Sequence, residues 1–270
     1  MKPATSRVGS TWPTAASRQA DMLRLTYLIR RKSGLEADAF RAALQERFAS
    51  TLAASAGRLR LSRAIFVQTL DDPMNEALAR PRGDMEAPYD GVIELWWATD
   101  EDADAGTNAA ADLVEREAAF IDHERSPLWL NCEYPQINPA HVVTARAASP
   151  LVKLYFPLRQ QASLSDDAAR EHWLRQHGPI IRAHAAGMGM VRYMQVHRVD
   201  TPLERRLREQ RGTATPAYLG HAETWLDRSI ASAPEARLGG RAAIADEKRF
   251  IDFARSSIWV GKERIVFDRR

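Results

Sequence analysis

Histidine is the one side chain whose ordinary titration range spans neutrality, so its neighbours decide whether it can move protons. The sequence contains seven histidines, and three of them sit at suggestive spacings in the second half. His177 follows Trp173 by four residues, which places both on one face of a helix. His221, Glu223 and Trp225 alternate along a predicted strand and share a face; Tyr193, Gln195 and His197 do the same on another. An imidazole beside a carboxylate is suited to general acid–base chemistry. In this reading His177 transfers the proton, His221 is its partner and Glu223 orients them. Tyr155, Trp173, Tyr193 and Trp225 would wall a pocket for a ring-containing ligand, with Gln195 and His197 as polar contacts. A second arrangement makes His197, His221 and Glu223 a two-histidine, one-carboxylate metal set, or one histidine an axial haem ligand. The sequence contains no HExxH or CxxCH, and Gly187-Met188-Gly189 lacks the GxGxxG context. The expectation is therefore no metal and no cofactor, with haem as the alternative.

Each of these residues also has a plain structural use. His177 could cap a helix, and His197 could lie at an exposed strand end. Glu94 and Glu223 recur in both halves and could serve the fold, as could Asp122 and Asp252 at helix ends. Trp96, Trp129, Trp225 and Trp259 suit a core, while His123, His141, His172 and His184 read as solvated.

The elements that position these residues occur twice. Residues 115–130 read EREAAFIDHERSPLWL and residues 245–260 read ADEKRFIDFARSSIWV. A shift of 130 superposes Glu117 on Glu247, Phe120 on Phe250, Asp122 on Asp252 and Trp129 on Trp259. A shift of 129 superposes Pro73 on Pro202, Gly83 on Gly212, Tyr89 on Tyr218, Glu94 on Glu223 and Trp96 on Trp225. The same shift sets Phe48 against His177 and Val92 against His221, so the halves share architecture and differ in chemistry. The second strand admits two registers, with Gln68 opposite either His197 or Gln195.

Hydrophobic periodicity predicts strands over 23–29, 64–70, 92–98 and 129–137, with helices over 35–52 and 109–122. The second half repeats the pattern with strands over 152–158, 191–199, 218–226 and 258–267 and helices over 166–185 and 241–253. The order βαββαβ is the ferredoxin-like arrangement. His177-Gly178-Pro179 is expected to break its helix and turn the chain. Residues 1–20 read as a flexible tail, 21–137 as a first ferredoxin-like repeat with a degenerate site, 138–150 as a linker and 151–270 as the repeat with the candidate active site. A four-stranded sheet with both helices on one face leaves the other face bare, and pairing two such sheets covers both. The fold class is α+β, with two tandem units forming one α/β barrel. The Pro- and Gly-containing loops over 71–88 and 200–216 are expected to cover the barrel mouth or to mediate dimer contact.

Composition bounds the rest. The chain has 270 residues, 45% hydrophobic and 27% charged, with a formal net charge of +3. Arg205, Arg206, Arg208 and Arg211 are interleaved with Glu204 and Glu209, which describes a solvated helix rather than a nucleic-acid patch. A single cysteine, Cys132, permits no internal disulfide and suits a reducing cytoplasm. No apolar run approaches membrane-spanning length, and the polar N-terminus has no signal-peptide core.

The segment from Leu164 to Ile181, with Trp173, His177, Gly178 and Pro179, resembles the EthD family of dimeric α/β-barrel domains. Tyr89 to Trp96 and Tyr218 to Trp225 resemble that family's third strand. The resemblance implies a small-molecule cavity between sheet and helices. It also implies cofactor-free dehydration, decarboxylation, cyclisation or oxygenation of aromatic or polyketide-like compounds, although some relatives bind haem. Phe48 departs from the pattern, so one site is expected, in the second half. The expected activity is a cofactor-independent lyase or isomerase of aromatic compound catabolism acting on a hydrophobic small molecule. The alternatives are a haem- or metal-dependent oxidoreductase and a non-catalytic binding protein. A homodimer is the one protein partnership expected.

Overall fold

The computed structural model describes residues 23–231 and 233–269. The predicted tail, residues 1–20, lies outside them. The first half contributes β1 (Leu23–Ile29), β2 (Leu61–Thr69), β3 (Gly91–Trp97) and β4 (Leu128–Ile137). The second contributes β5 (Leu151–Gln160), β6 (Met190–Arg198), β7 (Gly220–Asp227), the two-residue β8 (Ile251–Asp252) and β9 (Trp259–Asp268). The strands run in the order β7-β6-β4-β1-β3-β2-β9-β5, and β5 pairs with β7, which closes an eight-stranded antiparallel barrel. Its seams join the halves edge to edge, β4 to β6 and β2 to β9. Closure leaves no unpaired barrel edge, the feature that otherwise invites aggregation.

Both faces of the barrel wall are buried, so alternation sorts side chains into an outer layer under the helices and an inner layer in the lumen. In β1 every residue is buried. Leu23, Leu25, Tyr27 and Ile29 join the helix-side core, while Leu28 joins the lumen cluster with Val92, Trp129, Tyr155 and Trp259.

The lumen is also charged. Arg24 reaches Glu94 at 2.6 Å and Glu133 at 2.9 Å and also binds Glu223. Lys153 reaches Glu94 at 2.9 Å, Glu223 at 3.3 Å and Glu263 at 3.2 Å. The shifts of 129 and 130 relate Arg24 to Lys153, Glu94 to Glu223 and Glu133 to Glu263. A pseudo-twofold axis thus runs through the lumen, and Tyr89 and Tyr218 meet across it, hydroxyl to hydroxyl at 3.0 Å.

The long helix of each half contains one widened π turn at matching positions, Ala43–Phe48 and Trp173–His177. The defining bonds run from Ala49 N–H to the Leu44 carbonyl and from Gly178 N–H to the Trp173 carbonyl. The expected break at Pro179 does not occur, and the helix continues through Gly178–His184. The wide turn just before Pro179 accommodates a residue that has no N–H and would clash with a regular preceding turn.

The two expected loops contain helices. Pro73–Ala79 is capped by the Asp72 side chain, and Pro202–Arg211 starts at the Thr201 cap and ends at Gly212 with φ 62°. Each arm crosses to the other half. Leu203 and Leu207 enter the helix-side core of the first half, so the arginine-rich helix is solvated on one side only. Arg211 is buried against Glu117 at 2.9 Å, and its counterpart Arg82 is buried against Glu247 at 2.8 Å.

Candidate active site

The helix side of the second half contains a cavity of about 450 Å³, within the roughly 300–1,000 Å³ usual for small-molecule sites. Leu154 and Phe156 of β5, Tyr193 of β6 and Ala222, Thr224 and Leu226 of β7 form its floor. His177 and Ile181 form one wall, the helix Ala233–Glu247 forms another, and the first half's arm closes the space with Met74, Leu78 and Arg82. The arm therefore covers a helix–sheet cavity of the opposite half rather than a barrel mouth.

The corresponding space in the first half is about 30 Å³. At the repeat shifts, Thr224 corresponds to Leu95, Leu226 to Trp97, Gly240 to Ala110 and Ala243 to Leu113. A larger side chain at each position fills the volume. Where His177 would point, Phe48 stacks on Phe66 with centroids 6.0 Å apart and meets Phe120 at 5.6 Å. The strand register pairs Gln68 with Gly91 and His197 with Gly220, which settles the alignment of the second strand at a shift of 129.

His177 is 5% exposed and lines the cavity. Its Nδ1 lies 3.0 Å from an Asp246 carboxylate oxygen. The same carboxylate meets His172 Nε2 at 3.0 Å, so His172 is not the solvated residue its sequence context suggests. Burial pushes the Asp246 carboxyl up, but its bonds to His177 and His172 outweigh that and hold it below the usual value. An ionised Asp246 can only accept, so His177 Nδ1 carries the proton of this bond, and Nε2 has no protein partner among the described residues. Asp246 escaped the sequence reading. Its counterpart is Arg116, so the half-to-half comparison that singles out His177 also marks Asp246.

Of the other expected site residues, Tyr193 lines the cavity, and its hydroxyl accepts a bond from Gln195 Nε2 at 3.1 Å. Trp173 is buried behind it, and its carbonyl accepts a second Gln195 bond at 2.8 Å. His197 stacks on Trp173 at 4.4 Å and is 2% exposed, which rules out the exposed strand end. Burial, with Arg170 and His221 adding to it, holds the His197 imidazole well below its ordinary pKa. Gln195 and His197 thus brace the π turn that presents His177.

His221, Glu223, Trp225 and Tyr155 belong to the lumen. Tyr155 and Trp225 are therefore not walls of the helix-side pocket. In β7, residues 222, 224 and 226 face the cavity, so 221, 223 and 225 face the opposite way. His221 stacks on Tyr155 at 5.3 Å, and its Nε2 lies 3.0 Å from Glu223. Trp225 donates to Glu263 at 2.7 Å. His221 and Glu223 are therefore not partners of His177, because the sheet separates them. The same geometry removes the alternative metal set: His197 is on the helix side and His221 in the lumen. Among the described residues no cluster of histidine, cysteine and carboxylate side chains is arranged to hold a metal.

Burial lowers the His221 pKa to about 4 despite Glu223, so the ring is neutral near pH 7. Burial raises Glu94 to about 7, only partly opposed by Arg24 and Lys153. In Glu223 burial acts upward as well, but Arg24, Lys153 and the His221 bond prevail and leave it well below the carboxylate range.

Among the described residues no helix is long and apolar enough to cross a membrane. The backbone resembles that of an anthrone oxidase-like protein, with TM-score 0.55 at 10% identity, over 92% of this chain and 95% of that one. It also resembles a candidate monooxygenase from Fusobacterium nucleatum subsp. nucleatum, with TM-score 0.50 at 10% identity, over 93% and 94%. At such identity the likeness concerns the fold. No curated protein is significantly similar in sequence. The EthD domain model matches twice, over residues 32–124 and 161–254, once in each half of the barrel. The chain belongs to the EthD family.

Proposed function

We propose that this protein is a cofactor-independent lyase or isomerase whose proton-transfer residue is His177. Its substrate is an apolar small molecule, aromatic or polyketide-like in size, held in the second half's cavity. One observation carries the reading: an imidazole tied through Nδ1 to a buried carboxylate lies at the wall of an otherwise mostly apolar cavity. Nε2 takes a proton from an activated C–H bond, and Asp246 stabilises the imidazolium that results. Returning the proton to another carbon gives isomerisation; expelling a leaving group from the adjacent carbon gives elimination. Tyr193 has its hydroxyl oxygen bonded by Gln195, which leaves the phenolic proton to donate to the substrate.

The test is turnover of an identified substrate. His177→Ala should lower kcat by about 10²–10⁴-fold with an unchanged fold. Asp246→Asn should lower it by a smaller factor with KM little changed, because it disturbs the orientation of the base and not the apolar contacts. Wild-type kinetics in His177→Ala would remove the base from this scheme.

The same geometry favours haem as a second reading. An imidazole with a carboxylate on one nitrogen and open space at the other suits a residue that would hold a haem. Bound there, a haem would supply redox chemistry, with His177 holding it and Asp246 setting the ring's tautomer. A Soret band on adding haemin, lost in His177→Ala, would support this over the first reading.

A further inference from the structure

We propose that the molecule held by this cavity carries a carboxylate on its apolar body, and that Arg237 and Arg241 bind it at the mouth. The inference rests on reading the cavity as a substrate site and adds the class of substrate. Four charged side chains line the cavity: Arg82, Arg237, Arg241 and Glu247. Arg82 and Glu247 neutralise each other through a two-bond contact, Nε and NH2 each 2.8 Å from a carboxylate oxygen. Arg237 and Arg241 have no hydrogen-bond or ion-pair partner among the described residues. They stand one turn apart on one helix, an arrangement that costs helix stability through like-charge repulsion. The residues that could relieve it by i,i+4 pairing are Ala233 and Ala245, which carry no charge.

The first half supplies the control. There Arg237 corresponds to Thr107 and Arg241 to Ala111, and the equivalent space is closed. The arginine pair thus occurs only where the volume is open. A planar guanidinium suits a carboxylate, and two of them at an apolar cavity's rim select a molecule with an anionic end and a hydrophobic remainder. Such a ligand would place its carboxylate in the wet mouth and its apolar body among Leu154, Phe156 and Ile181, toward His177.

The test uses two fluorescent probes of one shape, 9-anthracenecarboxylate and the neutral 9-anthracenemethanol, titrated into the full chain at low salt. The acid should bind about tenfold more tightly than the alcohol. Added salt should shrink the preference, because both arginines are exposed. In Arg237→Gln/Arg241→Gln the preference should disappear while the alcohol binds as before, which also shows that the variant is folded. Equal affinities in the wild type, or a preference that survives in the double variant, would overturn the carboxylate assignment and leave the cavity reading intact. Failure of both probes to bind would remove the cavity reading and this inference with it. Haemin, whose propionates offer the same anion, is titrated in parallel; arginine-dependent binding of haemin alone would overturn the assignment to a substrate.

Discussion

His177 and His221 show how one residue type takes opposite roles from its surroundings. His177 keeps one nitrogen open at a cavity wall, whereas His221 is 0% exposed, stacked on Tyr155 and edge-on to Trp129 in a charged lumen. Its pKa near 4, against 6.5 ordinarily, has a consequence for stability. The unfolded chain takes up a proton at this ring as pH falls below about 6.5, and the folded chain refuses it until about 4. Stability is therefore fully present above 6.5 and is lost as pH falls through that window, by on the order of 3 kcal/mol. Glu94 slopes the other way, because its raised pKa costs stability as pH rises toward 7. The difference between two proteins isolates the histidine. For His221→Val, which copies Val92 of the first half, the variant-minus-wild-type difference in urea-melt stability should rise as pH falls from 6.5 to 4, because only the wild type loses the histidine's contribution. Parallel curves for the two proteins would show that the ring titrates normally. The sequence made His177 legible through its contrast with Phe48. It misassigned His221 because alternation says which residues share a face but not which face looks toward the helices. In an open sheet one face is solvated and the polar set would declare it. Here both faces are buried, and the polar set lines the inner one.

Among the elements, the shared π turn and the exchanged arms do the positioning. Both halves keep the wide turn, including the half that carries Phe48, so it belongs to the scaffold and not to the chemistry alone. Neither was legible in sequence. A π turn adds one residue per turn without a compositional mark. An arm's proline and glycine describe its ends and say nothing of which half it covers. Each arm is fastened by a buried arginine–glutamate pair, Arg82 with Glu247 and Arg211 with Glu117, with every side chain 7% exposed or less. Removing one partner strands the other charge. Arg82→Ala should therefore destabilise the protein by about 3–5 kcal/mol in urea melts. Arg82→Met combined with Glu247→Leu should recover most of that loss, since an apolar pair of similar volume leaves no buried charge. If Arg82→Ala costs less than about 1 kcal/mol, as a surface pair would, the arm is not anchored there.

At the scale of the molecule, duplication and closure separate two jobs that one pair of identical halves could not divide. The first half fills its helix-side space and lends an arm; the second keeps the space open. Neither half is complete. Arg24 of the first half binds Glu223 of the second, and Lys153 of the second binds Glu94 of the first, so each lumen cation adds one carboxylate from across the seam to two from its own half. Residues 151–270 alone would expose the β6 and β9 edges, leave Lys153 and Glu223 without their cross partners and lose Met74, Leu78 and Arg82 from the cavity. That fragment should not behave as a cooperatively folded monomer. It should pair with itself or aggregate, and mixing it with residues 21–137 should restore a one-to-one complex. Light scattering after size exclusion gives the mass of each species, and near-UV circular dichroism reports whether the tryptophans are packed. A monomeric fragment with a sharp urea transition would mean that the second half carries its own stability. The lumen charges would then be tolerated there without their partners, and the barrel would be an association of two finished domains.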